Sequence, residues 1–396
     1  MGFTRILFLT LLFVCAADVQ CQNVKIFNVK KYGAIPGGKT ENSKGFLEAW
    51  KNACQWKGKA VVLVPAGTYL LDSVKFEGEC KGYMIFKLKG NVMAVSKLKD
   101  IDRWITFKYV NGFTLAGRGT FDGQGHKVWP CKKNGKCQTL PISLRFEFIK
   151  NGNLQNIRSI NSQNAHVSIF ASSNLNISNI KVSAPQDSPN TDGIKISSSE
   201  EIRITRTTIS TGDDCVAILN GSKKTHISQV SCGPGHGISV GSMGGNTVIN
   251  NKDIVVGLTV RNSTFTNTSN GLRIKTWASP YQGLASGFTY EDIIMNNVEN
   301  PIIIDQQYCP NSPCNAKSAS RIQIRDITFS NIRGTSRSKA AVTLSCSSVV
   351  PCKNIVLKDI KLVYTGINGG PASSICSNVH GYSYGLQNPP SCLRSA

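Results

Sequence analysis

Along most of the chain, apolar and polar residues alternate in short runs that Asn, Ser or Gly interrupts. Residues 174–182 (NLNISNIKV), 193–197 (GIKIS), 201–209 (EIRITRTTI) and 225–230 (THISQV) show the pattern. Alternation with period two sends successive side chains to opposite faces, so these runs predict half-buried β-strands, with Asn and Gly at tight corners. One segment differs: in Ser43–Cys54, Phe46, Leu47, Trp50 and Cys54 recur at helical spacing. That spacing predicts an amphipathic helix capping the open end of a β-structure.

The strand runs repeat. DGIKI begins at Asp192, DDCVAIL at Asp213 and HGISV at His236, so successive starts fall 21 and 23 residues apart, and GLRIKTW from Gly271 and PIIIDQQY from Pro301 continue the form. A period in this range, with several short strands per repeat, predicts an all-β chain wound as a right-handed parallel β-helix, each repeat forming one coil. A β-sandwich competes, but it would show NG or DG hairpin turns and explains no fixed period. No Pro/Ser linker marks a boundary, so residues 22–396 are expected to form a single domain.

A β-helix turns this period into chemistry. Residues one coil apart lie above one another at the ~4.8 Å strand spacing, so Asp192, the Asp213/Asp214 pair and His236 would form a column, extended by Arg273 and Lys275 in the next coil. Arg273 and Lys275 alternate around Ile274, so both can face a cleft while Ile274 enters the core. Two carboxylates ~5 Å apart repel by about 3 kcal/mol at an effective dielectric near 20. That is about two pK units, so one carboxyl is expected to keep its proton at mildly acidic pH while the others ionise. A glycosidase needs that division between acid and base. Either aspartate alone, standing near Gly, would read as a turn residue. The remaining histidines, His126, His166, His226 and His380, fall outside the column and are assigned to surface or packing. The glycines of 117–125 precede no helix and form no nucleotide-binding loop.

Composition places the chain. Arg5 is followed by the apolar residues 6–14 and then by Cys15, Ala16 and Ala17, the pattern of a secretory signal peptide with cleavage after residue 17 or 21. That apolar run is too short for a membrane span. Twelve of the 14 cysteines lie beyond residue 22, an even number suited to an oxidising compartment. Close spacing suggests the pairs Cys54–Cys80, Cys131–Cys137, Cys215–Cys232, Cys309–Cys314, Cys346–Cys352 and Cys376–Cys392, and no zinc-site spacing is present. Glycosylation sequons stand at Asn176, Asn220, Asn262 and Asn267. With 45 Lys and Arg against 23 Asp and Glu, the formal charge is +22. Such a field favours a polyanionic partner, and secretion directs attention to an extracellular glycan and away from nucleic acid.

Four motifs, Asn190-Thr191-Asp192, Gly212-Asp213-Asp214, Gly235-His236-Gly237 and Arg273-Ile274-Lys275, follow the order and approximate spacing of the signatures of the polygalacturonase family. Residues 119–125 (GTFDGQG), 188–194 (SPNTDGI), 232–241 (CGPGHGISVG), 274–277 (IKTW) and 305–309 (DQQYC) resemble the plant members, the pollen-type exopolygalacturonases above all. The resemblance implies a secreted, cell-wall-acting monomer that hydrolyses α-1,4 galacturonan with inversion, releases galacturonate from chain ends, and needs no metal or other cofactor. It further implies that Asp213 is the general acid, that Asp192 and Asp214 activate the attacking water, and that His236 maintains the protonation of Asp213. Arg273 and Lys275 would bind the substrate carboxylate, and Tyr308 would contact a sugar. Asn190 would orient a hydroxyl or hold a turn. Lys31 before Tyr-Gly-Ala, Gly38, Asn42 and the ASPYQG segment after Trp277 depart from the family pattern, outside the column. Two other readings remain at this stage. A lyase on the same architecture would cleave by β-elimination, and a glycan-binding β-helix would not cleave at all.

Overall fold

A computed structural model describes residues 23–98, 102–137, 139–245, 253–310 and 318–395. The expected signal peptide and Cys314, the expected partner of Cys309, lie outside them. Within the described residues the strands pair in parallel, coil upon coil, in a right-handed β-helix with two long sheets. One sheet stacks a strand from each successive coil, from Val74–Glu77 to Ser373–Ser377. It carries the site.

Alternation decides what each strand of that sheet buries. Ile194 pairs with Val216, Val216 with Ile238, Ile238 with Leu272 and Leu272 with Ile302. These five side chains, and the parallel row from Ile196 through Ile218, Val240 and Ile274 to Ile304, are at most 1 % exposed. Each buried aliphatic side chain contributes about 1.5–3 kcal/mol, and a one-residue slip would turn the whole row to water, so the register is strongly specified. Ile274 enters the core while Arg273 and Lys275 face outward, as the alternation predicted.

The helix Ser43–Cys54 packs over the first coils and buries Phe46, Ala49, Trp50 and Ala53. Trp50 meets Phe76 and Phe107 at ring-centroid distances of 5.2 and 5.7 Å, and the Cys54–Cys80 disulfide ties the helix end to the coil beneath it. This is the expected cap. The pairings Cys131–Cys137, Cys215–Cys232, Cys346–Cys352 and Cys376–Cys392 are also formed as expected.

Asparagines hold the corners. Asn151 and Asn174 both take positive φ (54° each), and they stack so that Asn174 Nδ2 donates to Asn151 Oδ1 (2.7 Å) and Asn151 Nδ2 to Asn111 Oδ1 (2.8 Å). Asparagine tolerates the left-handed region, and the ladder satisfies its amide.

The coil length is not constant. Around the site the step is 22 residues, from Ile194 to Val216 and again to Ile238. Later coils are longer, because the opposite sheet is built there from strands such as Asp253–Thr266 and Gln282–Val298. Among the described residues no helix is long and apolar enough to cross a membrane.

Candidate active site

The 22-residue step refines the column. Counting back two residues from the Ile194, Val216 and Ile238 register places Asp192, Asp214 and His236 in line on adjacent coils, with Asp213 one residue upstream of that line. Backbone bonds tie the coils together here: Gly193 N–H donates to Asp214 O (2.9 Å), Cys215 N–H to Gly237 O (2.8 Å) and His236 N–H to Asp213 O (2.9 Å). The Cys215–Cys232 disulfide joins the residue after Asp214 to the segment leading into His236. Gly237 has φ +83°, and a Cβ there would collide with the carbonyl oxygen of Asn270. Glycine is therefore required for the chain to turn the imidazole outward.

The three carboxylates have different surroundings. Asp214 is 2 % exposed and lies among cations: its Oδ1 accepts from Arg273 Nη2 (2.6 Å) and Ser239 Oγ (2.7 Å), and its Oδ2 from Lys275 Nζ (2.9 Å). Ser239 Oγ in turn accepts from Arg273 Nε (2.9 Å). Asp192 is also buried, and its Oδ1 meets Lys195 Nζ at 3.1 Å. Asp213 is the more accessible: its Oδ1 lies 3.0 Å from His236 Nδ1 and accepts from the backbone N–H of Asp214 (2.8 Å), and its Oδ2 accepts from Asn190 Nδ2 (3.4 Å).

Proton affinities follow from these surroundings. Burial pushes Asp192 up to about 7; Lys195 opposes the shift, and the charges of Asp213 and Asp214 add to it. Burial also works against a charge on Asp213, yet the hydrogen bond and charge of His236, the Asp214 backbone bond and Lys275 together hold its carboxyl well below the usual range. Burial disfavours the Lys195 charge as well, but Asp192 and the other two aspartates keep that lysine above its usual value. Asp192 thus holds its proton more tightly than Asp213, chiefly through burial, with the charges of Asp213 and Asp214 adding to the effect. Proton affinity is lower at Asp213 because an imidazole lies against it, whereas Asp192 is shut away from water.

The structure brings together every residue the sequence nominated. Asn190, at φ 55°, both holds a left-handed corner and reaches Asp213. Tyr308 sits beside the column, its ring centroid 5.3 Å from Lys275 Nζ and 5.3 Å from the Trp277 ring. Of the remaining histidines, His126, His226 and His380 are exposed. His166 is fully buried, with Nδ1 2.9 Å from Ser159 Oγ, and burial pushes it down to about 3.

Sequence reasoning missed Lys195 and Ser239. Both were within reach of it: Lys195 stands three residues after Asp192 on an outward position of GIKIS, and Ser239 is in register with Arg273. What hid them was the unknown stagger between strands.

Asp213, Asp214 and His236 bring possible ligand atoms within 4.8 Å of one another. Both oxygens of Asp214 already accept from Arg273 and Lys275, so a cation held there would meet two positive side chains.

The family model for glycosyl hydrolases family 28 matches residues 54–392. An exopolygalacturonase of Platanus acerifolia is 44% identical over 371 residues, covering 92% of this chain and 97% of the relative. A polygalacturonase of Nicotiana tabacum is 42% identical over 374 residues, covering 94% and 93%. The crystal structure of a hyperthermoactive exopolygalacturonase from Thermotoga maritima superposes with a TM-score of 0.72 at 19% identity, covering 90% of this chain and 92% of that one, and so shares its fold. This chain belongs to family 28 of the glycosyl hydrolases.

Proposed function

We propose that this protein is a secreted polygalacturonase that hydrolyses α-1,4 galacturonosidic bonds of de-esterified pectin, with inversion, and releases galacturonate from chain ends. The observation that carries the reading is the split among three adjacent carboxylates. One is buried with its proton affinity raised, one is open and paired with an imidazole, and one is clamped by two cations. The similar exopolygalacturonase of Platanus acerifolia and polygalacturonase of Nicotiana tabacum support the substrate, and the first supports the exo action.

Asp213 is the donor to the leaving glycosidic oxygen, because it is the accessible carboxyl and His236 adjoins it. The proton is supplied from the group that Asp213 forms with His236 and the protonated Asp192. Its delivery in the transition state lowers the barrier, since the departing sugar leaves as a neutral alcohol. Asp192 passes its proton to Asp213 and then, as a carboxylate, joins Asp214 on the adjacent coil in holding and deprotonating the water that attacks the anomeric carbon from the other side. Attack opposite the leaving oxygen inverts that centre. Arg273 and Lys275 serve Asp214 at rest and attract the uronate carboxylate when substrate enters. Tyr308 supplies an apolar face for a sugar beside Lys275. The protein acts as a monomer of one domain, residues 22–396, at the cell wall.

Reducing ends and viscosity, measured together on polygalacturonate, test this reading. Exo hydrolysis raises reducing ends long before viscosity falls, and the galacturonate released is the β-anomer. An unsaturated, ultraviolet-absorbing product would replace hydrolysis with elimination, and an early loss of viscosity would replace exo with endo action.

A further inference from the structure

On the site-bearing sheet, three strands toward the N-terminus from Asp192, an aromatic and cationic platform has no part in the chemistry above. Strands Arg103–Lys108, Ile142–Glu147, Val167–Phe170 and Ile194–Ser197 are successive neighbours in this sheet. Lys108 is in register with Glu147, Glu147 with Phe170 and Phe170 with Ser197, all on the outward face that also presents Lys195. The platform therefore begins one strand from Lys195 and extends about 14 Å, three strand spacings, away from the carboxylates.

Its composition is unusual for a corner of this fold. Tyr109 and Phe148 each directly follow an outward residue, at φ 56° and 54°. The equivalent corners of the next two coils carry Ala171 and Ser198, many others carry asparagine, and large aromatic side chains rarely adopt this backbone region. Both rings are nevertheless there, and both face water: Tyr109 is 43% and Phe148 36% exposed. They stack at 4.9 Å, and Phe148 meets Phe170 edge-on at 5.8 Å. Lys108 Nζ lies 4.7 Å from the Tyr109 ring centroid, and the Arg145 guanidinium 4.9 Å from that of Phe170. Glu147 is approached by Arg103, Lys108 and Arg145 at 3.1, 3.7 and 3.0 Å, and the exposed Glu77 on the next strand is in register with Lys108. Lys75, Lys108 and Arg145 against Glu77 and Glu147 leave a small local positive excess. Backbone strain held in place for exposed aromatic surface, beside surplus positive charge, marks a binding surface.

We propose that this platform is a secondary polyuronate-binding site, gripping a stretch of the galacturonan chain that is not being cut. Sugar C–H faces would pack on Tyr109 and Phe148, and uronate carboxylates would meet the surplus charge of Lys108 and Arg145. The occupant follows from charge complementarity and from the continuity of the surface with the catalytic face, and the proposal rests on polygalacturonate being the substrate.

The test compares wild type with the double variant Tyr109→Asn/Phe148→Asn, chosen because asparagine tolerates the same backbone. Two readouts are kept apart: hydrolysis of digalacturonate, too short to span the distance, and equilibrium binding of long polygalacturonate at low salt. The expected result is unchanged digalacturonate kinetics with polymer affinity lowered about tenfold, some 1.4 kcal/mol. Unaltered polymer affinity, or equal damage to both readouts, overturns the platform. Lys108→Gln provides a second measure: its polymer affinity falls at low salt and converges on wild type at high salt, and no difference at low salt also overturns the proposal. A wild type idle toward digalacturonate would count against the hydrolase reading and leave the polymer affinities to judge the platform.

Discussion

His236 Nδ1 lies 3.0 Å from Asp213 Oδ1, across two coils of the β-helix that the Cys215–Cys232 disulfide fastens together. The contact joins the accessible carboxyl of the site to a group able to carry a proton to it. Asp213→Asn is expected to lower kcat by about 10²- to 10⁴-fold, the range for losing a general acid, with the circular dichroism spectrum retained. Turnover close to wild type in that variant would remove Asp213 from the donor role.

The proton retained by the carboxylate cluster sets a pH limit. Burial raises the pKa of Asp192 to about 7, so above that pH its proton is no longer available for delivery. The kcat profile should therefore fall as pH rises through about 7. A flat profile from mildly acidic to alkaline pH would contradict the shared-proton mechanism.

The same shift has a sign for stability. Asp192 binds its proton more tightly in the folded state (about 7) than in the unfolded chain (3.8), so over the interval between them the native protein holds more protons than the unfolded chain. Stability from this group is full below the lower value and declines as pH rises toward 7. Asp192→Asn removes the decline. Thermal unfolding at a series of pH values should show the variant gaining on wild type across that window, and a constant difference would mean that Asp192 is not raised.

Lys195 is the cation beside Asp192, at 3.1 Å. Removing a positive neighbour raises a carboxyl pKa further, so Lys195→Gln should move the alkaline limb of the kcat profile upward and leave the affinity for digalacturonate nearly unchanged. A limb that stays in place would reduce Lys195 to a packing residue.

Lys275 serves the buried Asp214, and its loss leaves one carboxylate oxygen without its strong donor. Lys275→Ala is expected to destabilise the fold by roughly 1 to 3 kcal/mol, to weaken substrate affinity at low salt and to lower kcat. Chemical denaturation with steady-state kinetics checks all three. Unchanged affinity would exclude contact with the substrate carboxylate.

Much of this was written in the chain. Alternating runs and the recurrence of DGIKI, DDCVAIL and HGISV determined a parallel β-helix, because strand periodicity and a fixed coil length leave few other ways to bury the Ile and Val rows. The helical spacing of Phe46 and Trp50 determined the cap, and the four motifs nominated Asp192, Asp213, Asp214, His236, Arg273 and Lys275. The tertiary structure alone decided the stagger between coils, which put Asp214, and not Asp213, in line with Asp192 and His236. That stagger also brought Lys195 and Ser239 into the site and gave both cations to Asp214. It raised the proton affinity of Asp192 as well, since that affinity depends on burial and on neighbours from other coils. A sequence identifies charged groups, whereas their distances and their access to water arise only when the coils stack.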